Sequence, residues 1–304
     1  MSRTGNSEKK AATAPACLII NADDYAYFRG VSQGILECVG QGSVTATGVF
    51  ANSPFLDEHA CWLADHPDLD VGVHLNLTDR APLTGRLAEA LSDWNGRFPG
   101  KFTIAKAILM RRIPVDLVRE EWRAQIERCR ANKLQLSFLN SHEHIHMLPA
   151  LYSIALELAR EYGIAHVRLA TPEWPRTGSA SALIRDGIMA VLAQVNRRKM
   201  SNEAPVFVGM GESGRLSRRY LANLLPKLRP GRVYELMCHP GIAAPEEVKD
   251  KRLLEYHDWE LERQTLSDPT LKTVLAANNI RLIGYRHLLT TREGLQVRPE
   301  EIGT

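Results

Sequence analysis

Short apolar runs rich in β-branched residues alternate along this chain with longer segments whose apolar positions recur every three to four residues. Cys17-Leu-Ile-Ile-Asn21 is a continuous apolar run that ends in polar residues, which suits a parallel strand buried on both faces with its C-terminal end open to a site. The pattern then predicts a helix over 34–39, a strand over 43–51, a helix over 55–65 and a strand over 69–77. Residues 101–133 read as mostly helical with a break at Pro114, which can neither donate a backbone hydrogen bond nor fit a helix interior. A strand over 134–139, an amphipathic helix over 150–162 and a strand over 164–169 follow. Pro172, Pro175 and Gly178 open a segment, 170–204, with a helix near 184–197; it reads as a lid-like insertion rather than a second domain. The remaining strands are expected at 205–208, 233–238 and 281–284.

Alternating short strands and helices imply a parallel sheet covered by helices. Seven or so repeats over about 270 residues fit a single-domain α/β fold, a (β/α) barrel that is distorted or seven-stranded. The domain is expected to span 17–292. Residues 1–16 read as a disordered N-terminal tail, because they are polar and lack the apolar core of a secretory signal, and 293–304 as a C-terminal tail. In such barrels the site lies at the C-terminal ends of the strands.

Composition narrows the class. The 304 residues are 44% hydrophobic and 24% charged, with 38 basic and 35 acidic side chains mixed along the chain for a net charge of +3. That balance belongs to a globular protein with no demand for nucleic acid; Arg111-Arg112, Arg197-Arg198-Lys199 and Arg218-Arg219 read as solvated helix surface. Five scattered cysteines without CxxC spacing suggest reduced thiols in a cytoplasmic protein. No run approaches the roughly 18 apolar residues of a membrane span. The stretch 102–123 sets Ile104, Ala107, Ile108, Met110 and Ile113 beside Lys101, Lys106, Arg111 and Arg112. It suits packing onto the barrel first and peripheral contact with an anionic membrane surface second.

Four motifs concentrate metal-ligand and acid-base residues, each at a predicted strand end: Asn21-Ala-Asp23-Asp24, Gly72-Val-His74-Leu-Asn76, Asn140-Ser-His142-Glu-His144-Ile-His146 and Met237-Cys238-His239-Pro240. Adjacent carboxylates after an apolar strand are costly to bury unless something uses their charge, although an Asp-Asp turn or helix cap explains them equally well in isolation. His74 lies on the polar face of an alternating strand. Three imidazoles at alternate positions would share one face of an extended strand, an arrangement that calls for a metal or substrate to organise it, whereas in a loop they would fan out. His239 is a candidate acid or base by placement alone. One Asp with two His gives a ligand set with open coordination positions, which implies catalysis rather than a closed structural site.

These stretches, read as NADDY, GVHLNLT, NSHEHIHMLP, HVRL, PVFVGMGESG and ELMCHPG, resemble the YdjC-like carbohydrate deacetylase family, in the family's order from about Asn21 to His287. The resemblance implies a hydrolase that removes the N-acetyl group from an N-acetylated amino sugar, either an oligosaccharide or a lipid-linked N-acetylhexosamine of envelope glycolipid synthesis. It makes Asp24, His74 and His142 the ligands of one divalent metal ion, Asp23 the general base and His239 the acid. His144, His146, Arg168 and Asn76 are then expected to line the substrate pocket; for Arg168 a structural ion pair fits as well. Trp174 could stack on a sugar. Zinc suits two imidazoles and magnesium is also compatible. Two positions depart from the family pattern: Ala26 where Gly is usual and Asn140 where Asp is usual. Competing readings are a phosphoesterase with several cations, a non-haem iron oxygenase and a non-catalytic sugar- or lipid-binding protein. Self-association is compatible with all of them.

Overall fold

The computed structural model describes residues 14–173, 180–201, 203–291 and 294–298. Its strands are β1 (Ala16–Tyr25), β2 (Ala46–Val49), β3 (Asp70–Leu75), β4 (Leu136–Ser141), β5 (His166–Val167), β6 (Val206–Val208), β7 (Val233–Cys238), β8 (Ile280–Leu282), β9 (Leu288–Thr291) and β10 (Gly294–Val297). The helices are α1 (Arg29–Gly40), α2 (Leu56–Trp62), α3 (Gly85–Ala90), α4 (Lys101–Leu109), α5 (Val115–Ala131), α6 (Pro149–Tyr162), α7 (Ala180–Arg197), α8 (Arg218–Leu224), α9 (Lys251–Tyr256), α10 (Trp259–Leu266) and α11 (Leu271–Ala277). Pro114 stands just before α5, where its missing N–H costs nothing. Trp174, Pro175 and Gly178 of the expected lid lie outside the described residues; α7 is its helix.

The main sheet is parallel and runs β5-β4-β3-β2-β1-β7-β6, with β8 added beside the first residues of β1. β5 and β7 are five strands apart on this path, a separation of roughly 24 Å in a flat sheet at about 4.8 Å per strand. Yet Arg168, immediately after β5, places Nε 2.5 Å from Glu235 Oε1 on β7 and Nη1 2.6 Å from Asp23 Oδ2 on β1. The sheet is therefore curled into a barrel, open where β5 and β6 face each other without a ladder among the described residues.

Period-two alternation on β1 sorts side chains to the two sides of this wall. Leu18, Ile20 and Ala22 pack outward into the large core beneath the helices, while Cys17 and Ile19 face inward with Ala46, Phe138, Val233, Ile283 and Tyr285. Each fully buried Leu or Ile contributes about 1.5–3 kcal/mol, so the outward row anchors β1 firmly. Gly72 makes room inside: a Cβ there would lie 2.6 Å from the Phe138 ring.

Two boundaries differ from the sequence reading. β1 continues to Tyr25 rather than stopping at Asn21, because its inward polar residues find partners across the barrel. Residues 294–297, expected as tail, form β10 and pair antiparallel with β9, and Leu295 and Val297 pack against the inner apolar cluster. The hairpin closes the end of the barrel opposite the site, so the domain extends beyond 292.

Candidate active site

At the C-terminal end of β1 the backbone turns sharply. Asp24 has φ 71° and Ala26 φ 67°, both left-handed, and the Tyr27 N–H donates to Asp24 O at 2.9 Å. The reversal aims Asp23 into the barrel and Asp24 toward its rim. Asp24 Oδ1 lies 3.2 Å from His74 Nε2 and 2.9 Å from His142 Nδ1. One donor atom from each of the three falls within 4.8 Å of the others, and all three residues are buried.

Charge supports a cation at this position. Asp23 and Glu235 are buried carboxyl groups held by one buried guanidinium, Arg168, and the buried Asp24 has only the imidazoles of His74 and His142 as partners, so the three carboxyl groups leave a formal excess of two negative charges over Arg168. Burial alone would lower the pKa of His142, but the charge of Asp24 and its hydrogen bond outweigh burial and push it up to about 9. A proton there compensates for missing positive charge, and a divalent ion held by the same atoms would replace it.

Asn140 orients the first histidine. Its Nδ2 donates to Asp23 Oδ1 at 2.8 Å, so its Oδ1 must face His74 Nδ1, 2.7 Å away. An amide oxygen only accepts, so the His74 proton sits on Nδ1 and the Nε2 lone pair is turned to Asp24 and any ion beside it. The amide thus orients the imidazole without a charge of its own. Gly48 gives the pair space: a Cβ there would stand 3.1 Å from Asn140 Oδ1 and 3.2 Å from His74 Nδ1.

Asp23 is clamped by Arg168 and Asn140. Arg168 Nη1 and Nη2 donate to its two oxygens at 2.6 and 3.0 Å. Burial would raise its pKa; Arg168 and His74 overcome that and lower it to about 2, so it is ionised. Arg168 itself is fully buried in this network, with the Phe207 ring 5.2 Å from its guanidinium carbon.

The remaining predicted residues have distinct places. His142, His144 and His146 do not share a face, because the chain leaves β4 in a 3-10 turn (His142–Met147) with Glu143 and His144 in left-handed conformation. His142 turns to Asp24. His146 places Nδ1 2.5 Å from Ser141 Oγ and Nε2 3.0 Å from the Arg168 carbonyl, which occupies both ring nitrogens inside the protein. The His144 ring meets the Phe207 ring edge-on at 5.6 Å, and burial holds its pKa well below the usual value. The Asn76 amide is also occupied: Nδ2 donates to Asn52 Oδ1 and the Asp79 carbonyl, and Oδ1 accepts from the N–H groups of Thr78 and Asp79.

His239 follows β7. Its N–H donates to Glu262 Oε2 at 2.5 Å, its Nδ1 is buried without a partner, and burial lowers its pKa. Beside it, with ring centroids 5.1 Å apart, lies His257, stacked on Trp259 at 5.0 Å. Neither His257 nor the Glu262 support was read from the sequence: a single His and a single helical Glu carry no pattern.

Ala26 provides a test of local strain. A left-handed Ala costs about 1–2 kcal/mol, and Gly would remove that while loosening the unfolded chain by about 0.4–1 kcal/mol. Ala26→Gly is expected to raise stability by up to roughly 1 kcal/mol, read from the urea midpoint at constant slope. A fall in the midpoint would show that packing of the buried methyl group outweighs the strain.

The profile of the YdjC-like protein family matches residues 17–277. The carbohydrate deacetylase of Geobacillus stearothermophilus is 32% identical over 90% of this chain and 98% of its own length, and the human carbohydrate deacetylase is 28% identical over 92% and 93%. A crystal structure from Enterococcus faecalis V583, of a protein named for cellobiose-phosphate cleavage, superposes with a TM-score of 0.68 at 25% identity, covering 90% of this chain and 98% of that one. Sheet, site and profile agree over the same residues: the chain belongs to the YdjC-like protein family.

Proposed function

We propose that this protein is a metal-dependent carbohydrate deacetylase that hydrolyses the acetamide of an N-acetylated amino sugar to acetate and the free amine. The observation that carries the reading is the division of labour between adjacent carboxylates: Asp24 converges with His74 and His142, while Asp23 is held apart by Arg168 and Asn140. Relatives named carbohydrate deacetylases supply the substrate class. Among the described residues this is the sole such group of ligand types, which favours one ion, zinc or magnesium, over a multi-cation phosphoesterase site.

The ion, when bound, supplies positive charge that acidifies a water and polarises the acetamide carbonyl, which is what lets a carboxylate of low proton affinity serve as base. Asp23 accepts the water proton on a carboxylate oxygen. Arg168 fixes the direction of that carboxylate and keeps it ionised in a buried site. Burial favours the neutral form of His239, so it would take up a proton to become an imidazolium, give that proton to the departing amine and return to the neutral form. Glu262 sets its position through the backbone N–H.

The reading is tested by acetate release from N-acetylglucosamine oligosaccharides, using protein loaded with zinc or magnesium. Release abolished by chelator and restored by metal is expected. A protein that binds one ion per chain and releases no acetate from any N-acetylated sugar would sink it.

A further inference from the structure

We propose that α4 and α7, which flank the turn carrying His142, form a surface that docks on an anionic lipid bilayer and brings the site to amino sugars carried on lipid. The substrate part rests on the deacetylase reading; the docking does not.

On α7, Ile184, Ile188, Val191 and Val195 follow one another at steps of four, three and four residues, a single stripe, and are 65, 55, 63 and 37% exposed. The opposite face is buried: Ala193 packs in the core and Asn196 Nδ2 donates to the Met147 carbonyl at 2.8 Å, fixing the helix to the end of the His142 turn. On α4, Phe102 is 81% exposed and Leu109 70%, with Met110 just beyond it at 61%. Lys101 Nζ pairs with Glu143 Oε1 at 2.8 Å and ties this helix to the same turn. Nine of the fifteen large apolar side chains exposed among the described residues lie in 102–115 or 183–195, so the exposure is concentrated around the site.

Charge selects the occupant. Lys106 and Arg111 stand exposed on the α4 side, Arg197 and Arg198 at the end of α7, and the one acidic residue of the two helices, Asp186, is buried. A second copy would bring like charges together across a two-fold axis. Apolar side chains interleaved with Lys and Arg match a bilayer interface bearing anionic headgroups. No helix among the described residues is long and apolar enough to cross a membrane, so contact would be peripheral.

The full chain is to be sedimented with phosphatidylcholine vesicles, with and without phosphatidylglycerol. Binding is expected with phosphatidylglycerol and should weaken with salt. The pairs Ile188→Ser with Val191→Ser, and Phe102→Ser with Leu109→Ser, should each reduce it at least about tenfold, with unchanged circular dichroism and unchanged acetate release from a soluble oligosaccharide. Absence of binding, equal binding to neutral vesicles, loss confined to one helix, or a dimer dissolved by Ile188→Ser would each overturn the proposal. Vesicle binding is read without substrate, so a protein that binds but releases no acetate refutes the deacetylase reading and leaves the docking standing.

Discussion

Asp23→Asn is expected to retain one divalent ion per chain and to lose deacetylation by about 10²- to 10⁴-fold, the usual worth of a positioned general base. The side chain keeps its shape, and His74 and His142 keep their approach to Asp24. The amide, however, cannot accept a proton and presents a donor to Arg168 or Asn140, both of which already donate there. Asp24→Ala should differ in kind: it removes the atom on which both imidazoles converge, so metal and activity fall together. Metal content after dialysis, measured beside acetate release, separates the two. Equal metal loss in both variants would show that Asp23 also ligates, and the assignment of roles would fail.

Arg168→Met is expected to destabilise the fold by about 3–5 kcal/mol, because it strands two buried carboxyl groups, Asp23 and Glu235, without their partner. The methionine fills much of the volume, so the loss would report charge more than a cavity. Adding Asp23→Asn and Glu235→Gln to the same chain should recover a large part of it in denaturant titration. Arg168→Lys keeps the charge but has a single ammonium where the guanidinium donates in three directions, so partial rescue of stability with little rescue of activity is expected. If the neutralised triple variant is no more stable than Arg168→Met, the network is held by packing and the electrostatic account is wrong.

Much of this was legible in the sequence. Alternation located β3, the apolar runs located β1, β4 and β7, and four polar motifs each following a strand supplied the candidates, from which the family resemblance selected Asp24, His74 and His142 before any coordinates. What escaped depends on curvature and on backbone sign. Arg168 was as consistent with a ligand contact as with an ion pair, since only a curled sheet carries the residue after β5 to β1 and β7. The HEHIH spacing suggested a shared face, but the left-handed Glu143 and His144 break the alternation that such a face requires. Asn140 read as a lost charge, yet its two-headed amide bridges Asp23 and His74, a role visible only when both neighbours are in place. Ala26, flagged as a departure from glycine, does sit where the backbone favours glycine.

The unladdered seam between β5 and β6 gives the barrel an unusual mechanics. Backbone hydrogen bonds hold every other neighbouring pair along the sheet path, whereas near the gap side chains do the joining: Arg168 grips carboxylates on β1 and β7, and Glu173 accepts from the Gly209 N–H just after β6. Through Arg168 the opening of the seam is coupled to the aim of Asp23. A ligand, mutation or solvent change that pries the strands apart would slacken the carboxylate at the same moment, so rigidity of the wall and readiness of the chemistry rise and fall together.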